Sequence, residues 1–170
     1  MIKKLMGSIR EYKKDSILAP IYVTLEVVLE VLIPFLMSMI IDRGVGEGDM
    51  PFIIRIGLIL IVSTLFSLSF GVLSGLHAAK ASAGFAKNIR KDMYYNIQDF
   101  SFSNIDQFST SSLITRLTTD ITNVQNSFQM IIRIMVRAPL MLVFSLLMAL
   151  NINSELGMVF LGAIPFLGLG

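Results

Sequence analysis

Residues 16–41 read SILAPIYVTLEVVLEVLIPFLMSMII, an apolar stretch whose only charged side chains are Glu26 and Glu30. At 1.5 Å per residue, 25 helical residues cover about 37 Å, whereas the hydrocarbon core of a bilayer is about 30 Å thick. The stretch therefore predicts a first membrane-spanning helix over about 16–41.

The composition of the whole chain also indicates a membrane protein. Of its 170 residues, 54% are hydrophobic and 15% are charged, and the mean hydropathy is +0.74. Soluble domains are about 45–50% apolar and about 25% charged. This chain has too few charges to cover a water-facing surface, so a compact soluble enzyme is excluded.

The chain also lacks most of the side chains that catalysis and metal binding need. It has no Cys and a single His, His77, which excludes thiol catalysis, Cys-ligated zinc and two-His metal motifs. We therefore predict no catalytic residue and no metal site. The formal net charge of +2, without basic residues alternating with aromatic ones, also argues against a nucleic-acid partner.

The next apolar stretch predicts a second, unusually long helix. A glycine-rich loop, 42–50, precedes a helix over about 51–100 that is apolar as far as Leu76. Beyond Leu76, apolar residues recur every four positions among charged ones, which is typical of an amphipathic helix outside the membrane. Those on the predicted apolar face include Phe85, Ile89 and Met93.

Two further helices are predicted after this one. A polar segment, about 101–111, is followed by a third helix over about 112–150, which pairs with the second outside the membrane and then enters it. A fourth helix starts at about 155, and its apolar run has 15 residues when the sequence reaches Gly170. A span needs roughly 20 residues, so we expect the sequence to stop within the fourth helix.

The basic residues predict the orientation of these helices. Twelve of the 14 Lys and Arg residues lie in the N-terminal segment or between Lys80 and Arg137, and the two others, Arg43 and Arg55, flank a short loop. Cytoplasmic flanks carry the excess of Lys and Arg. The N-terminus and the helical hairpin are therefore expected in the cytoplasm.

Small residues repeat every four positions along the second helix. Such residues let another helix approach closely in lipid, so Ser67, Gly71 and Gly75 are candidate helix-packing residues. Ordinary bundle packing explains the repeat, and a sliding surface for a moving helix is the functional alternative. The complete ladder comprises Ser63, Ser67, Gly71, Gly75, Ala79 and Ala83.

Glu26 and Glu30 are candidate residues of a substrate cavity. They are four residues apart and share one face of the first helix, and a carboxylate at membrane depth costs about 2.5 kcal/mol or more. Two interpretations remain open at this point. The pair lines a cavity that binds cationic substrates or carries protons, or it is neutralised by a cation or hydrogen-bond donor on a helix beyond this sequence.

Three other polar residues near the membrane boundary need no special role. His77 is amphipathic enough to lie at the inner boundary. Arg133 and Arg137 are one turn apart at the inner end of the third span, and we expect both to extend to lipid headgroups.

Residues 101–125, SFSNIDQFSTSSLITRLTTDITNVQ, indicate a family. They resemble the first intracellular loop of ABC exporter transmembrane domains, whose pattern is roughly F-D-x-x-x-[ST]-G-x-L-x-[ST]-R-L-x-x-D. Ile105 and Ser111 depart from this pattern, in the manner of heterodimeric bacterial multidrug exporters. The matching residues are Asp106, Thr110, Leu113, Thr115, Arg116, Leu117 and Asp120.

The resemblance implies an all-α, polytopic type-1 exporter domain with long cytoplasmic helix extensions, of which this chain is an N-terminal part. The intact protein would have six membrane helices and an ATP-binding domain, lie in the plasma membrane, and dimerise with an identical or different half-transporter subunit. It would move drugs, lipids or peptides, including hydrophobic or cationic small molecules, out of the cell. ATP and Mg would bind in the nucleotide-binding domain, since this chain has no Gly-Lys dipeptide and hence no P-loop, so we do not expect it to be catalytic alone.

The resemblance also assigns roles to residues at the two ends of the helices. The turn between the second and third helices would form a coupling helix that docks on the nucleotide-binding domains. Asp42, at the outer end of the first helix, resembles acidic residues that help to seal the external gate. The candidate coupling residues are Asn104, Asp106, Gln107, Phe108 and Ser109.

Two other functions remain as alternatives. One is a small proton-coupled multidrug carrier that uses Glu26 and Glu30. The other is a membrane receptor or scaffold whose helical hairpin binds a cytosolic partner. The carrier hypothesis does not explain the cytoplasmic hairpin, which has more than fifty residues from His77 to Phe128.

Overall fold

The structure is a computed structural model, and it describes residues 6–99, 110–152, 157–159 and 162. These residues form helices and turns, and none of them is in a strand. The elements are a 3-10 turn at Arg10–Tyr12; α1, Lys13–Met39, continued by a π-helix, Ile40–Val45; α2, Met50–Gln98; α3, Thr110–Thr115, continued by a π-helix, Arg116–Asp120; and α4, Ile121–Ile152.

Three helical stretches are long and apolar enough to cross a membrane. They are Arg10–Val45, Met50–Gln98 and Ser111–Ile152. Helices suit lipid because they satisfy their backbone hydrogen bonds internally. The all-α membrane architecture predicted from hydropathy is thus confirmed, whereas most of the predicted start of a fourth helix, 155–170, lies outside the described residues.

The chain divides into two compact units. The first contains the described residues of Met1–Ile21 and Leu73–Met135, and the second those of Tyr22–Val72 and Val136–Gly170.

A cluster of apolar side chains forms the core of the first unit. Phe85, Ala86 and Ile89 of α2 are buried against Ile121 of α4 and Ile9 of the N-terminal segment. Met93 packs at the edge of this cluster, and the rings of Phe85 and Phe128 are 4.5 Å apart. The predicted apolar face of the second helix, and its pairing with the third predicted helix, are therefore confirmed.

Small residues allow a second close contact in the same unit. Ala19 of α1 is buried with Ala78 and Ala81 of α2 and with Ile132 of α4. The structure differs here from the predicted ladder of small residues along the second helix, because Ala79 and Ala83 are exposed. A strict four-residue repeat turns about 40° too far at each step in a helix of 3.6 residues per turn. It therefore leaves the packed face before it reaches Ala79.

The N-terminal segment crosses α2 through polar contacts that the sequence did not predict. Arg10, whose φ of 43° lies in the left-handed region, donates to Asp92 at 2.8 Å. The buried Asn88 side chain donates to the Ser8 carbonyl oxygen at 2.9 Å. A Cβ atom at Gly84 would overlap the ring of Tyr12, so the segment depends on a glycine at position 84.

In the second unit, a very short connector joins α1 to α2. The sequence predicts a loop over 42–50, but helical structure continues to Glu47, and only Gly48 and Asp49 separate it from α2. Gly48 has a φ of 71°, in the left-handed region that favours glycine. Asp49 accepts a hydrogen bond from the Phe52 backbone N–H at 3.1 Å, which caps α2.

The first two helices of this unit run antiparallel. Gly44 lies against Ile53 near the connector, and further along the pair the rings of Tyr22 and Phe70 are stacked with centroids 6.2 Å apart. These contacts fix which residues of α1 and α2 face each other.

Replacing Gly84 with Ala tests the packing of the N-terminal segment. The added methyl group overlaps Tyr12, so we expect a loss of about 1–3 kcal/mol, as for other overpacked positions. We expect this loss of stability to lower the melting temperature in detergent and to speed proteolytic cleavage of the segment that precedes Tyr12 in the chain. Gly57→Ala is the matched control, because nothing lies within 4 Å of a Cβ at position 57.

The combination Tyr12→Ala/Gly84→Ala separates this clash from a general effect on the helix. If the ring is the obstacle, adding Gly84→Ala to the Tyr12→Ala protein costs no further stability. An equal loss in both backgrounds contradicts the assignment.

Candidate functional site

A group of three charged side chains lies inside the second unit. Arg137 of α4 donates from Nη1 to Glu26 Oε1 at 2.9 Å, and from Nη2 to the two carboxylate oxygens of Glu30 at 2.6 and 2.8 Å. We call these residues the charge triad. Glu26 and Glu30 share one face of α1 because they are one helical turn apart, so a single guanidinium reaches both.

The contacts of Arg137 bear on two expectations from the sequence, the headgroup contact of Arg137 and the partner of Glu26 and Glu30. It does not extend to headgroups as expected, because its guanidinium is paired with two carboxylates. The partner that the second interpretation of Glu26 and Glu30 required lies on α4 of this chain rather than on a helix beyond it. A basic residue at the start of the apolar run 134–150 was the available sequence signal for this pairing.

Gly71 of α2 makes room for the triad. A Cβ atom at position 71 would lie 2.9 Å from Oε1 of Glu26 and 3.2 Å from its Cδ. The Glu26 side chain is therefore held between a guanidinium on one helix and the bare backbone of another. Ser67, one turn before Gly71, is also buried.

Glu26 is the most buried member of the triad. The residue is 7% exposed, and its Oε2 atom has no hydrogen-bond partner among the described residues. Buried carboxylate oxygens normally have such partners. Among the described residues, the triad thus leaves one carboxyl oxygen of Glu26 without a donor.

A groove of about 300 Å³ begins at Glu30 and follows α1 and α4. Its surface is mainly apolar, with hydroxyl groups from two serines. The lining residues are Glu30, Val31, Pro34, Phe35, Ser38, Met141, Ser145, Met148, Ala149 and Ile152. An apolar groove with one carboxylate at its edge suits a ligand with an apolar body and one polar group.

The first unit contains a second polar cluster, which the sequence analysis missed. His77 Nδ1 lies 2.7 Å from Asp15 Oδ1, and Lys80 Nζ lies 3.4 Å from Asp15 Oδ2. Asp15 directly precedes the apolar stretch 16–41 and shares this hydrogen bond with His77 across 62 positions of the chain. His77 therefore has a specific partner at the end of the span.

The other predicted site residues are Asp42, Gly75 and the candidate coupling residues. The candidate coupling residues, Asn104, Asp106, Gln107, Phe108 and Ser109, fall outside the described residues. Asp42 is exposed in the π-helix next to the connector, and Gly75 lies beside Arg133. Within the part of the chain that the structure describes, no three His, Asp or Glu side chains are grouped as metal ligands would be.

Gly71→Ala tests the dependence of the triad on a bare backbone. The methyl group would force the Glu26 carboxylate away from Arg137, so we expect a loss of about 1–3 kcal/mol, measured as a lower melting temperature in detergent. Gly57→Ala in the same helix is the control, and it should be neutral or slightly stabilising because Ala favours helices.

The same substitution in a Glu26→Ala protein identifies the obstacle. With the carboxylate gone, Gly71→Ala should cost nothing further. A loss of equal size in that background would show that another group occupies the space.

Comparison with known proteins places these features in a family. A family model described as ABC transporter transmembrane region matches residues 16–170. The chain is 37% identical to the ABC transporter ATP-binding protein YfiB of Bacillus subtilis, over 98% of this chain and 29% of that protein. It is 25% identical to Rv1273c of Mycobacterium tuberculosis, also named an ABC transporter ATP-binding protein, over 98% of this chain and 29% of that one.

A relative matched over a shorter part of the chain is the heterocyst differentiation ATP-binding protein HepA of Nostoc, 27% identical over 73% of this chain and 24% of that protein. The chain thus spans less than a third of the length of each of these relatives. Since the family model matches residues 16–170, which is nearly the whole chain, the chain belongs to the ABC transporter transmembrane region family.

Proposed function

We propose that this chain forms part of the membrane domain of an ATP-driven exporter in the plasma membrane, which moves drugs, lipids or peptides outward by alternating access. The observation that carries this proposal is α2. It has 49 residues, about twice the number that a bilayer requires. Its part beyond the apolar stretch is packed against α4 through the Phe85 cluster.

This packing suits the transmission of movement. A pair of helices with a shared core moves as a rigid body, whereas an unpacked loop would absorb a displacement. With the N-terminus and the hairpin in the cytoplasm, as the distribution of Lys and Arg favours, movements of a nucleotide-binding domain would reach the membrane through α2 and α4.

The proposed partners follow from this arrangement. A nucleotide-binding domain supplies ATP hydrolysis with Mg, since the present chain has no phosphate-binding loop that would fit ATP. A second half-transporter subunit, identical or different, completes the pathway. The names of the relatives, which are ATP-binding proteins, support a nucleotide-binding domain in the same polypeptide.

The proposed substrate pathway is lined by α1 and α4. It includes the groove that begins at Glu30, and its substrates are hydrophobic or cationic small molecules. Asp42 would help to close the pathway at its outer end. The long packed extension of α2 supports this assignment over a small proton-coupled carrier, which would have no use for it.

The proposal is tested with the full-length protein in inside-out vesicles. We expect ATP hydrolysis together with ATP-dependent uptake of ethidium or of a fluorescent phospholipid. Uptake that follows a proton gradient without ATP would instead indicate the carrier. Absence of both ATP hydrolysis and uptake, with a cytosolic protein retained on the hairpin, would indicate the receptor or scaffold.

Substitutions in the predicted coupling helix give a more specific prediction. Asp106→Ala and Phe108→Ala should leave ATP binding intact but reduce substrate-stimulated ATP hydrolysis by about tenfold or more, because about 1.4 kcal/mol of lost coupling corresponds to a factor of ten. Ser101→Ala, in the same polar segment but outside the predicted coupling residues, is the control. Stimulation that survives both substitutions would contradict the assigned coupling role.

A further inference from the structure

The charge triad contains more acidic than basic side chains. It combines two carboxylates with one guanidinium, and no other Lys or Arg among the described residues lies within ion-pair distance of Glu26 or Glu30. With all three groups ionised, the triad carries one uncompensated negative charge. Such a charge is unfavourable in the low dielectric of a membrane protein.

The positions of Glu26 and Glu30 in the sequence place this charge near the middle of the first predicted span. The two residues lie on either side of the midpoint of the apolar stretch 16–41, about 15 and 21 Å from its start at 1.5 Å per residue. Water and salt screen a charge least at this depth. Arg137 also leaves the Oε2 atom of Glu26 without a hydrogen-bond partner among the described residues.

The groove provides space for a molecule beside the triad. Glu30 is both a member of the triad and part of the groove wall, and its side chain is 27% exposed. Beyond Glu30, the wall is formed mainly by Pro34, Phe35, Met141 and Met148. A ligand with an apolar body in the groove would therefore bring its polar group next to the Glu30 carboxylate.

We propose that this site binds amphipathic cations with a single positive charge, and that Arg137 sets this valence. A monocation brings the site to neutrality, a neutral ligand leaves the excess negative charge, and a dication creates an excess positive charge. This inference rests on the proposed transport function, for which it names the substrate class.

Ethidium and propidium are suitable probes, because they share an aromatic ring system but carry one and two positive charges. Binding is measured by fluorescence with the full-length protein in lipid nanodiscs. We expect ethidium to bind at least about tenfold more tightly than propidium, since adding a charge near a partly buried site changes the Coulomb energy by more than the equivalent of a factor of ten. Tetraphenylphosphonium should displace ethidium, whereas the neutral triphenylphosphine oxide should not.

Variants that change the net charge of the triad give distinct expectations. Glu30→Gln makes the triad neutral, and it should weaken ethidium binding at least about tenfold. Arg137→Gln raises the excess to two negative charges and should reverse the preference in favour of propidium. Gly57→Ala, away from the groove and the triad, should leave both affinities unchanged.

The double variant Glu30→Gln/Arg137→Gln keeps the inference falsifiable if Arg137→Gln alone does not fold. It restores a single negative charge, carried by Glu26, and should restore the preference for ethidium. A preference for ethidium over propidium that is the same in all variants would overturn the role of the triad. Absence of ethidium binding to the natural protein, as when another helix fills the groove, would overturn the site.

Failure of this inference is distinguishable from failure of the proposed function. A protein that hydrolyses ATP and transports a fluorescent phospholipid, but binds no ethidium, retains the transport function and lacks this site. A protein that shows the expected valence pattern without ATP hydrolysis retains the site, and its function would have to be reassigned.

Discussion

Arg137 joins two helices of the second unit by binding both carboxylates of Glu26 and Glu30. Each of these charges is unfavourable in lipid by roughly 2.5–3.5 kcal/mol on insertion scales, so none is tolerated well without the others. Removing one partner of a buried pair typically costs about 3–5 kcal/mol. The arrangement of α1 and α4 in the second unit therefore depends on this contact, and α2 must offer Gly71 where Glu26 lies against it.

The buried side chains of the two units are grouped differently. In the first unit they include the apolar clusters around Phe85 and around Ala78. In the second unit, Val23, Val27, Ser63 and Ser67 are buried, and the charge triad joins α1 to α4. Hydrophobic burial drives association only where water is the alternative. In lipid, close approach of small residues and polar contacts replace it.

Much of the fold could be predicted from the sequence, because hydropathy and length decide which segments cross a membrane. The apolar face at Phe85 and Ile89 was also predictable, since its period matches a helix and it lies among charged residues. The loop motif at 101–125 indicated the family, although the coupling residues it contains lie outside the described residues. The four-residue spacing did not predict that Ala79 and Ala83 are exposed, because a four-residue repeat drifts around a helix of 3.6 residues per turn.

The pairing of Arg137 was less accessible to sequence reasoning. Its position near the start of the apolar run 134–150 is equally compatible with a headgroup contact. Only the distance between α1 and α4 distinguishes the two, and a distance between helices is a property of tertiary structure. The same applies to Asp15 and His77, which are 62 positions apart in the chain, and to the N-terminal contacts with Asn88 and Asp92.

The short connector between α1 and α2 limits how these helices can move. From Glu47 to Met50 there are three steps between consecutive Cα atoms, at most about 11 Å, and neighbouring helix axes are themselves about 8–10 Å apart. Almost the whole length of the connector is needed to span the distance between the two helix axes. Neither helix can therefore slide along the other by one helical turn. The pair can change its crossing angle or move as one body, but its register is fixed.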